Sequence, residues 1–394
     1  MATTPGTYGE RRPTLKDLLY RFEARQLIFQ AVLLALVIGA FAWVFGNLRR
    51  HNVVWGFDFL NQTAGFDISQ SLIEYSNRST YGRVFWVGLL NTLLVSVLGI
   101  AGASVIGFAV GIARLSSNWL IARLAGVYVE VVRNVPLLLQ LFFWYFAVLK
   151  NLPPPRASYA LPGGMFFNVR GLYLPAPVPQ PGFWIVGAAF AVSIAATLAI
   201  WWWARQRQGR TGARFPVLWA ALALLVGLPL LAFLAAGRPL TLDFPVLGGF
   251  NFRGGIAVLP ELMALWLGLA IYTASFIAEI VRAGILGVPK GQAEAAQALG
   301  LSRGQTLRLV VIPQAARLII PPLTSQYLNL TKNSSLAVAI GYPDFVNVFA
   351  GTVLNQSSLA VEVILITMGM FLALSLVTSL LMNWFNRRMA LVER

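Results

Sequence analysis

The chain has 394 residues, of which 58% are hydrophobic and only 11% are charged. Soluble domains carry about 25% charged residues, so this composition excludes an ordinary soluble globular protein and predicts an integral membrane protein. The net charge of +16 comes from short basic stretches between apolar runs, which is typical of membrane topology signals and not of a nucleic-acid interface.

The chain begins with a polar segment, residues 1–26, which is too long and too polar to be a cleavable signal peptide. Leucines recur at helical spacing from residue 15, and Lys16, Arg21 and Arg25 lie on the polar side. This pattern predicts an interfacial helix on anionic lipid, and a partner-binding helix is the alternative.

Eight apolar runs follow, and each is long enough for a hydrocarbon core that takes roughly 20 residues to cross. They are Leu27–Gly46, Val84–Ile112, Trp119–Leu149, Phe183–Trp203, Pro216–Ala236, Glu261–Ile285, Ala316–Ile340 and Val361–Phe385. In the second run, small residues predict close helix packing: Gly99, Gly102, Gly107 and Gly111.

The third run is irregular because it carries Glu130, Arg133 and Pro136. We expect its first turns at the cytoplasmic surface and a bend at the proline. The spacing of Glu130 and Arg133 favours a structural ion pair. After this run, residues 151–182 are rich in Pro and Gly, which predicts an irregular external loop.

Ionisable residues inside a membrane are costly, so each is a candidate for a functional site. Glu279 and Arg282 lie three apart near the end of the sixth run. Two interpretations remain open: they form the inner end of a substrate path or a hinge, or they form a structural ion pair at the headgroup level.

Residues 294–313 form a polar segment between the sixth and seventh runs. A first short helix is predicted to carry Glu294 near its start, where the dipole favours an acid, and to end at Gly300 in the left-handed conformation. A second helix is predicted to begin at Ser302, with Gln305 at capping-box spacing, and to stop before Pro313.

The seventh run is too polar to face lipid. Its polar residues are Gln326, Asn329, Lys332, Asn333, Ser334 and Ser335. Because unpaired polar groups in hydrocarbon cost several kcal/mol, we expect these side chains either to line a solvated cavity or to form hydrogen bonds between helices. A cavity with one cation would suit an α-amino acid.

Alternation of eight spans places both termini on the same side of the membrane. About twenty of the Lys and Arg residues lie on that side, which also holds the loops near 114, 205–214 and 282–317. The positive-inside rule therefore predicts cytoplasmic termini and a cytoplasmic 294–313 segment.

The 294–313 segment resembles the coupling loop of ABC importer permeases. The matching positions are Glu294, Ala295, Ala296, Gly300, Val310, Ile312 and Pro313, with Val310 and Ile312 as conservative replacements. In that family the loop docks on an ATPase subunit. Further segments resemble the polar and general L-amino acid permeases: Asn91-Thr92-Leu93, 130–140, 278–285 and 332–336.

The resemblance implies an all-α polytopic membrane protein of about eight transmembrane helices. Five of them form the family core (84–112, 119–149, 261–285, 316–340 and 361–385), to which an N-terminal helix and an inserted helix pair are added. The chain then divides into residues 1–83, 84–150, 151–259 and 260–394, with the coupling loop at 284–315. No functional residue of the family maps to 151–259.

The resemblance also implies a bacterial inner-membrane transporter subunit that is not an enzyme and holds no cofactor itself, with ATP and Mg on a partner ATPase. The other implied partners are a second, similar permease in a heterodimer, a periplasmic amino-acid-binding protein and the lipid bilayer. Candidate residues of the substrate path are Asn91, Thr92, Glu279, Arg282 and the polar residues 326–335 named above.

Three other functions are alternatives. The first is an ABC permease for another solute. The second is an ion-driven secondary transporter, which would need inverted repeats that we do not find. The third is a membrane enzyme, but the chain has no cysteine, a single histidine and no phosphate-binding GxxxxGK[ST] sequence.

Overall fold

A computed structural model describes residues 56–213 and 215–389, together with ten positions between 29 and 46. The chain forms two compact units, residues 1–58 and 59–394. The ten described positions between 29 and 46 are helical, in line with the first predicted span. The predicted interfacial helix at 14–25 lies outside the described residues.

The second unit consists mainly of helices. In chain order these are α1 (Tyr81–Ala113), α2 (Trp119–Asn134), α3 (Leu137–Phe142), α4 (Phe183–Thr211), α5 (Val217–Leu222), α6 (Leu228–Ala235), α7 (Pro260–Leu286), α8 (Lys290–Ala298), α9 (Arg303–Thr306), α10 (Ile312–Asn333), α11 (Leu354–Ser357) and α12 (Ala360–Met389). Wider π-helical turns occur at Phe143–Val148, Ala223–Gly227, Leu307–Val311 and Val346–Val353, and tighter 3-10 turns at Leu149–Asn151 and Ser334–Ile340.

Within the described ranges, six helical runs are long and apolar enough to cross a bilayer. They are Tyr81–Ala113, Phe183–Thr211, Val217–Ala235, Pro260–Leu286, Arg303–Ile340 and Ala360–Arg387. The bent pair Trp119–Asn134 and Leu137–Asn151 makes seven if it counts as one span. The chain is therefore a multi-pass membrane protein, and these runs correspond to the second to eighth predicted spans.

Side-chain caps and a proline set the bounds of the first two helices. The Thr80 side chain accepts a hydrogen bond from the Arg83 amide at the start of α1, and Asn118 accepts two from the first turn of α2. At Pro136 the chain bends by 104° between α2 and the helical run that follows. A proline disfavours helical geometry at the residue before it, so the predicted bend is confirmed.

The core of the second unit lies where α1 packs along α7. A Cβ atom added at Gly107 would lie 2.6 Å from the Ile277 Cβ, and one added at Gly111 would lie 2.8 Å from the Ala278 carbonyl oxygen. Any larger side chain would push the helices apart, since packed interiors contain almost no free volume. The predicted role of these glycines in close helix packing is confirmed.

The predicted irregular loop at 151–182 is wrong, because this segment forms four short strands: β1 (Tyr159–Leu161), β2 (Met165–Asn168), β3 (Gly171–Leu174) and β4 (Ala176–Pro179). Four more come from the segment before α7: β5 (Leu240–Asp243), β6 (Val246–Gly248), β7 (Asn251–Arg253) and β8 (Ile256–Val258). The antiparallel sheets are β1-β2-β3-β8, β4-β5 and β6-β7.

Apolar and aromatic residues explain why these short strands pair. Phe166 of β2 stacks on Phe252 of β7 with ring centroids 4.6 Å apart, and Tyr173 of β3 lies 5.0 Å from the same ring. The prolines of β4 are tolerated because β4 pairs with β5 alone and needs fewer donors. The predicted all-α fold is thus correct for the membrane helices and not for the two loops at 151–182 and 240–258.

The inserted helices α4, α5 and α6 pack mainly on each other. Among their described residues only Ser193 and Ala204 are buried. Apolar side chains such as Trp184 and Leu231 are exposed along them, 73% and 65% respectively. A surface of this kind suits contact with lipid hydrocarbon.

Candidate coupling segment and polar path

The 290–313 segment begins with α8, which ends as predicted at a left-handed glycine. Gly300 has φ +81°, its amide donates to the Gln297 carbonyl at 2.9 Å, and the Leu301 amide donates to the Ala296 carbonyl at 3.2 Å. This pair of bonds is the Schellman motif, which satisfies the last carbonyls of a helix. The geometry fixes the direction in which the chain leaves α8.

A capping box begins the second helix, also as predicted. The Ser302 amide donates to Gln305 Oε1 at 2.8 Å, and the Gln305 amide donates to Ser302 Oγ at 3.4 Å. The prediction that this helix stops before Pro313 is wrong. It continues through a wide π turn at Leu307–Val311 into α10, and that turn accommodates the missing amide of the proline.

Much of the surface of this segment is open to solvent. Leu299 is 84% exposed, and Glu294, Ala295 and Gly300 are exposed as well. Ala296 is buried and attaches α8 to the rest of the chain. Glu294 is the fifth residue of α8, so its predicted place near the start of a helix is wrong: α8 begins four residues earlier, at Lys290.

The three family positions at the end of the segment lie on the continuous helix. Val310 belongs to the π turn and is half-buried, Ile312 begins α10 and is 58% exposed, and Pro313 is half-buried. The Gln314 side chain donates to Gln292 Oε1 at 3.3 Å, which ties the start of α10 to α8. The two parts of the segment therefore form one structure.

Glu279 accepts hydrogen bonds from two arginines near the end of α7. Arg282 lies 2.6 Å from Glu279 Oε1, and Arg114, which follows α1, bonds Glu279 Oε2. Sequence spacing suggested Arg282 but not Arg114, which lies 165 residues away along the chain. The network joins the ends of α1 and α7 and therefore favours the structural interpretation of the pair.

The ion pair expected between Glu130 and Arg133 is absent from the described part of the chain. The Arg133 guanidinium instead lies 4.9 Å from the centre of the Phe276 ring. Both residues line a cavity of about 440 Å³ together with Glu279. The Phe276 ring, on α7, thus takes the place of Glu130 as the partner of Arg133.

The polar residues of the seventh run lie at the end of α10 and in the 3-10 turn after it. Asn329 and Lys332 are exposed on one face, and Gln326 and Asn333 are half-buried. The Lys332 and Ser335 side chains line a cavity of about 550 Å³ beside α12. Within the described part of the chain, these residues form no hydrogen bonds to other helices, and their place in a substrate path stays a prediction.

Ser334 and Ser335 bond to carbonyls of their own helix. Ser334 donates to Thr331 and Ser335 to Lys332, both at 2.7 Å. Such bonds to the preceding turn accompany the change from α-helix to 3-10 helix at Ser334. The end of α10 is therefore an irregular polar stretch beside the cavity.

Asn91 and Thr92 lie in the core and not in a cavity. Asn91 donates to the Gln70 and Pro343 carbonyls at 2.9 and 2.8 Å, and Thr92 accepts from the Phe345 amide at 3.0 Å. They attach the segment after the 3-10 turn to α1. This structural role differs from the predicted contact with a substrate path.

Between those anchors lies a residue that sequence analysis did not single out. Asp344 is fully buried and accepts from the Asn347 amide at 2.9 Å, while its Oδ2 has no hydrogen-bond partner among the described residues. Asp344 lies outside the candidate spans, and burial raises its pKa to about 7. Asp344 lies four residues after the predicted span Ala316–Ile340, and nothing in the sequence around it indicates burial.

Comparison with known proteins identifies the family. A profile described as "Binding-protein-dependent transport system inner membrane component" matches residues 210–391. The general L-amino acid transport system permease protein AapQ of Rhizobium johnstonii is 55% identical, covering 100% of this chain and 98% of the relative. The chain belongs to this family of transport permeases.

Two other relatives are similar along their whole length. The putative amino-acid ABC transporter permease protein YhdX of Escherichia coli is 52% identical, covering 98% of this chain and 100% of the relative. The glutamate/glutamine/aspartate/asparagine transport system permease protein BztB of Rhodobacter capsulatus is 39% identical and covers 100% of both chains. The family resemblance found in the sequence is therefore confirmed.

Proposed function

We propose that this permease is the membrane subunit of an ATP-driven importer of L-amino acids in the bacterial inner membrane. Support comes from the names of the three relatives, all of which are amino-acid transport permeases. The positive-inside distribution supports cytoplasmic termini and a cytoplasmic 290–313 segment, with the sheets outside.

The 290–313 segment is the docking element for the ATPase in this proposal. The observation that carries it is the exposure of Leu299, 84%, on a short helix whose end is fixed by Gly300. Exposed apolar residues at a water-facing turn suit a protein partner. The helical run Arg303–Ile340 connects this turn to the polar stretch at Lys332, so movement at the docking element reaches the path directly.

The exposed polar face of α10 supports a second permease as a partner. Asn329 and Lys332 lie on that face. An ammonium group and an amide facing hydrocarbon would be costly, so a polar surface or a solvated path must cover them in the membrane. A second, similar permease in a heterodimer would supply that surface, and a periplasmic amino-acid-binding protein would deliver the substrate.

Purification of the tagged chain from its native membrane tests this proposal. We expect an ATPase subunit and a second permease to co-purify, and the reconstituted assembly to take up L-glutamine only with ATP and the binding protein. The chain alone should not hydrolyse ATP, because it lacks a phosphate-binding loop. Uptake driven by an ion gradient without ATP would contradict the proposal.

A further inference from the structure

A cavity of about 480 Å³ lies where the sheets meet the start of α7. Its lining includes Lys150, Arg170, Tyr173, Asn251 and Glu261. Cavities that hold small ligands commonly measure about 300–1,000 Å³, with a few placed polar groups. The residues that line it come from both inserted loops as well as from the core helices.

The turn between β2 and β3 presents Arg170 to this cavity. Asn168 is fully buried; its Oδ1 accepts from the Arg170 amide at 2.8 Å, and its amide group donates to Ser158 Oγ at 3.0 Å. Gly171, at φ +126°, passes so close to β8 that an added Cβ would lie 2.1 Å from the Val258 carbonyl oxygen. The turn is thus held in place by a buried amide and a backbone contact.

The Arg170 guanidinium forms no hydrogen bond, ion pair or ring contact within the described part of the chain. Asn251 of β7 supplies a further donor. Tyr173 donates to Asn251 Oδ1 at 2.8 Å, which leaves the Asn251 amide hydrogens directed elsewhere without an acceptor among the described residues. A planar guanidinium and a free amide are well suited to a carboxylate.

Glu261 brings a negative charge to the same cavity. The Tyr145 hydroxyl donates to Glu261 Oε1 at 2.6 Å, and Lys150 Nζ lies 3.8 Å from that oxygen. No described residue donates to Glu261 Oε2. The side chain is 19% exposed, so this second oxygen remains available to a donor from a ligand.

We propose that this cavity is a binding subsite for a free zwitterionic α-amino acid. The α-carboxylate binds the Arg170 guanidinium and the Asn251 amide, and the α-ammonium binds Glu261. Lys150 also lines the cavity, so the lining carries two cations and one carboxylate. A simple anion would leave Glu261 Oε2 without a donor, and a simple cation would meet Arg170 and Lys150, so the combination favours a ligand that carries both charges. The subsite rests on the proposed function and adds a position outside the membrane helices.

Saturation-transfer NMR on the full chain in lipid nanodiscs, with L-glutamine as the probe, tests the subsite. Arg170→Gln should weaken binding by about tenfold or more, because it removes the charge-assisted hydrogen bonds to the α-carboxylate. Asn251→Ala should weaken it less. Arg156→Gln is the matched control: Arg156 lies on the same loop but over the Phe250 ring, at 5.6 Å, and should leave binding unchanged.

Two analogues check which groups of the ligand are bound. Glutaminamide lacks the α-carboxylate and 4-carbamoylbutanoate lacks the α-ammonium, so both should bind the wild type more weakly than L-glutamine does. Glu261→Gln should remove the preference for L-glutamine over 4-carbamoylbutanoate. Equal binding of glutaminamide and L-glutamine would overturn the assignment of Arg170.

A carboxylate of the docked binding protein is the other source of an anion for Arg170. If Arg170→Gln weakened docking of that protein but left free L-glutamine binding unchanged, the subsite would be overturned. Failure of the subsite would not affect the proposed function, because ATP-dependent uptake is measured separately on the complete assembly. If the wild-type assembly showed no ATP-dependent uptake, that result would contradict the proposed importer function instead.

Discussion

Replacement of Gly300 by alanine tests whether the turn after α8 controls docking. Gly300 has φ +81°, and no described residue lies within 4 Å of an added Cβ, so the cost is one of backbone conformation alone. A left-handed residue other than glycine costs roughly 1–2 kcal/mol. That energy corresponds to a factor of about 5–30 in the population of the native turn.

Gly304→Ala provides the matched control in the same segment. Gly304 also has open space around an added Cβ, but it lies in α9 at an ordinary helical φ, where alanine is favoured by about 0.5–1 kcal/mol. The two substitutions add the same methyl group to the same surface, and their expected effects on stability have opposite signs.

The assay is the affinity of each purified variant for its ATPase, together with the rate of L-glutamine uptake by the reconstituted assembly. We expect Gly300→Ala to lose several-fold in both and Gly304→Ala to match the wild type, with normal membrane insertion in each case. Equal behaviour of the two variants would refute the reasoning, because the left-handed turn would then have no part in coupling.

Three further predictions follow from the membrane helices and the core. Lys332→Ala should reduce uptake without preventing insertion, because it removes the cation beside the α10–α12 cavity; unchanged uptake would make Lys332 a peripheral residue. Gly107→Ala should destabilise the purified chain by about 1–3 kcal/mol in thermal unfolding, whereas Gly126→Ala, with open space, should not. For Asp344 the raised pKa, to about 7, means that the native state holds a proton that the unfolded state loses from about pH 4 upwards. Stability should therefore fall by up to about 4 kcal/mol as the pH rises to 8, and Asp344→Asn should abolish that dependence; a flat profile in the wild type would show that Asp344 ionises in the native state at the same pH as in the unfolded chain.

Local features of the sequence were sufficient to predict the end of α8 and the start of α9. The Schellman turn at Gly300 and the capping box of Ser302 and Gln305 depend on residues a few positions apart. The bend at Pro136 has an equally local cause. Such features are encoded by backbone preferences that a single sequence shows directly.

Interactions between distant segments were not predictable in the same way. Arg114 bonds Glu279 across 165 residues, and β3 pairs with β8 across the inserted helices. Neither partner can be identified from spacing along the chain. Pro313 does not end its helix because a wide π turn before it absorbs the lost hydrogen bond, and the sequence pattern did not indicate that turn.

Chemical cross-linking at Leu299 tests the central claim most directly. The chain has no cysteine, so Leu299→Cys introduces its only thiol, at a side chain that is 84% exposed. Phe250→Cys, at an 80% exposed position on the sheets, is the control. In the assembled transporter we predict that a short thiol-to-amine cross-linker joins residue 299, and not residue 250, to the ATPase subunit. Cross-linking of the ATPase at residue 250 and not at residue 299 would contradict the account.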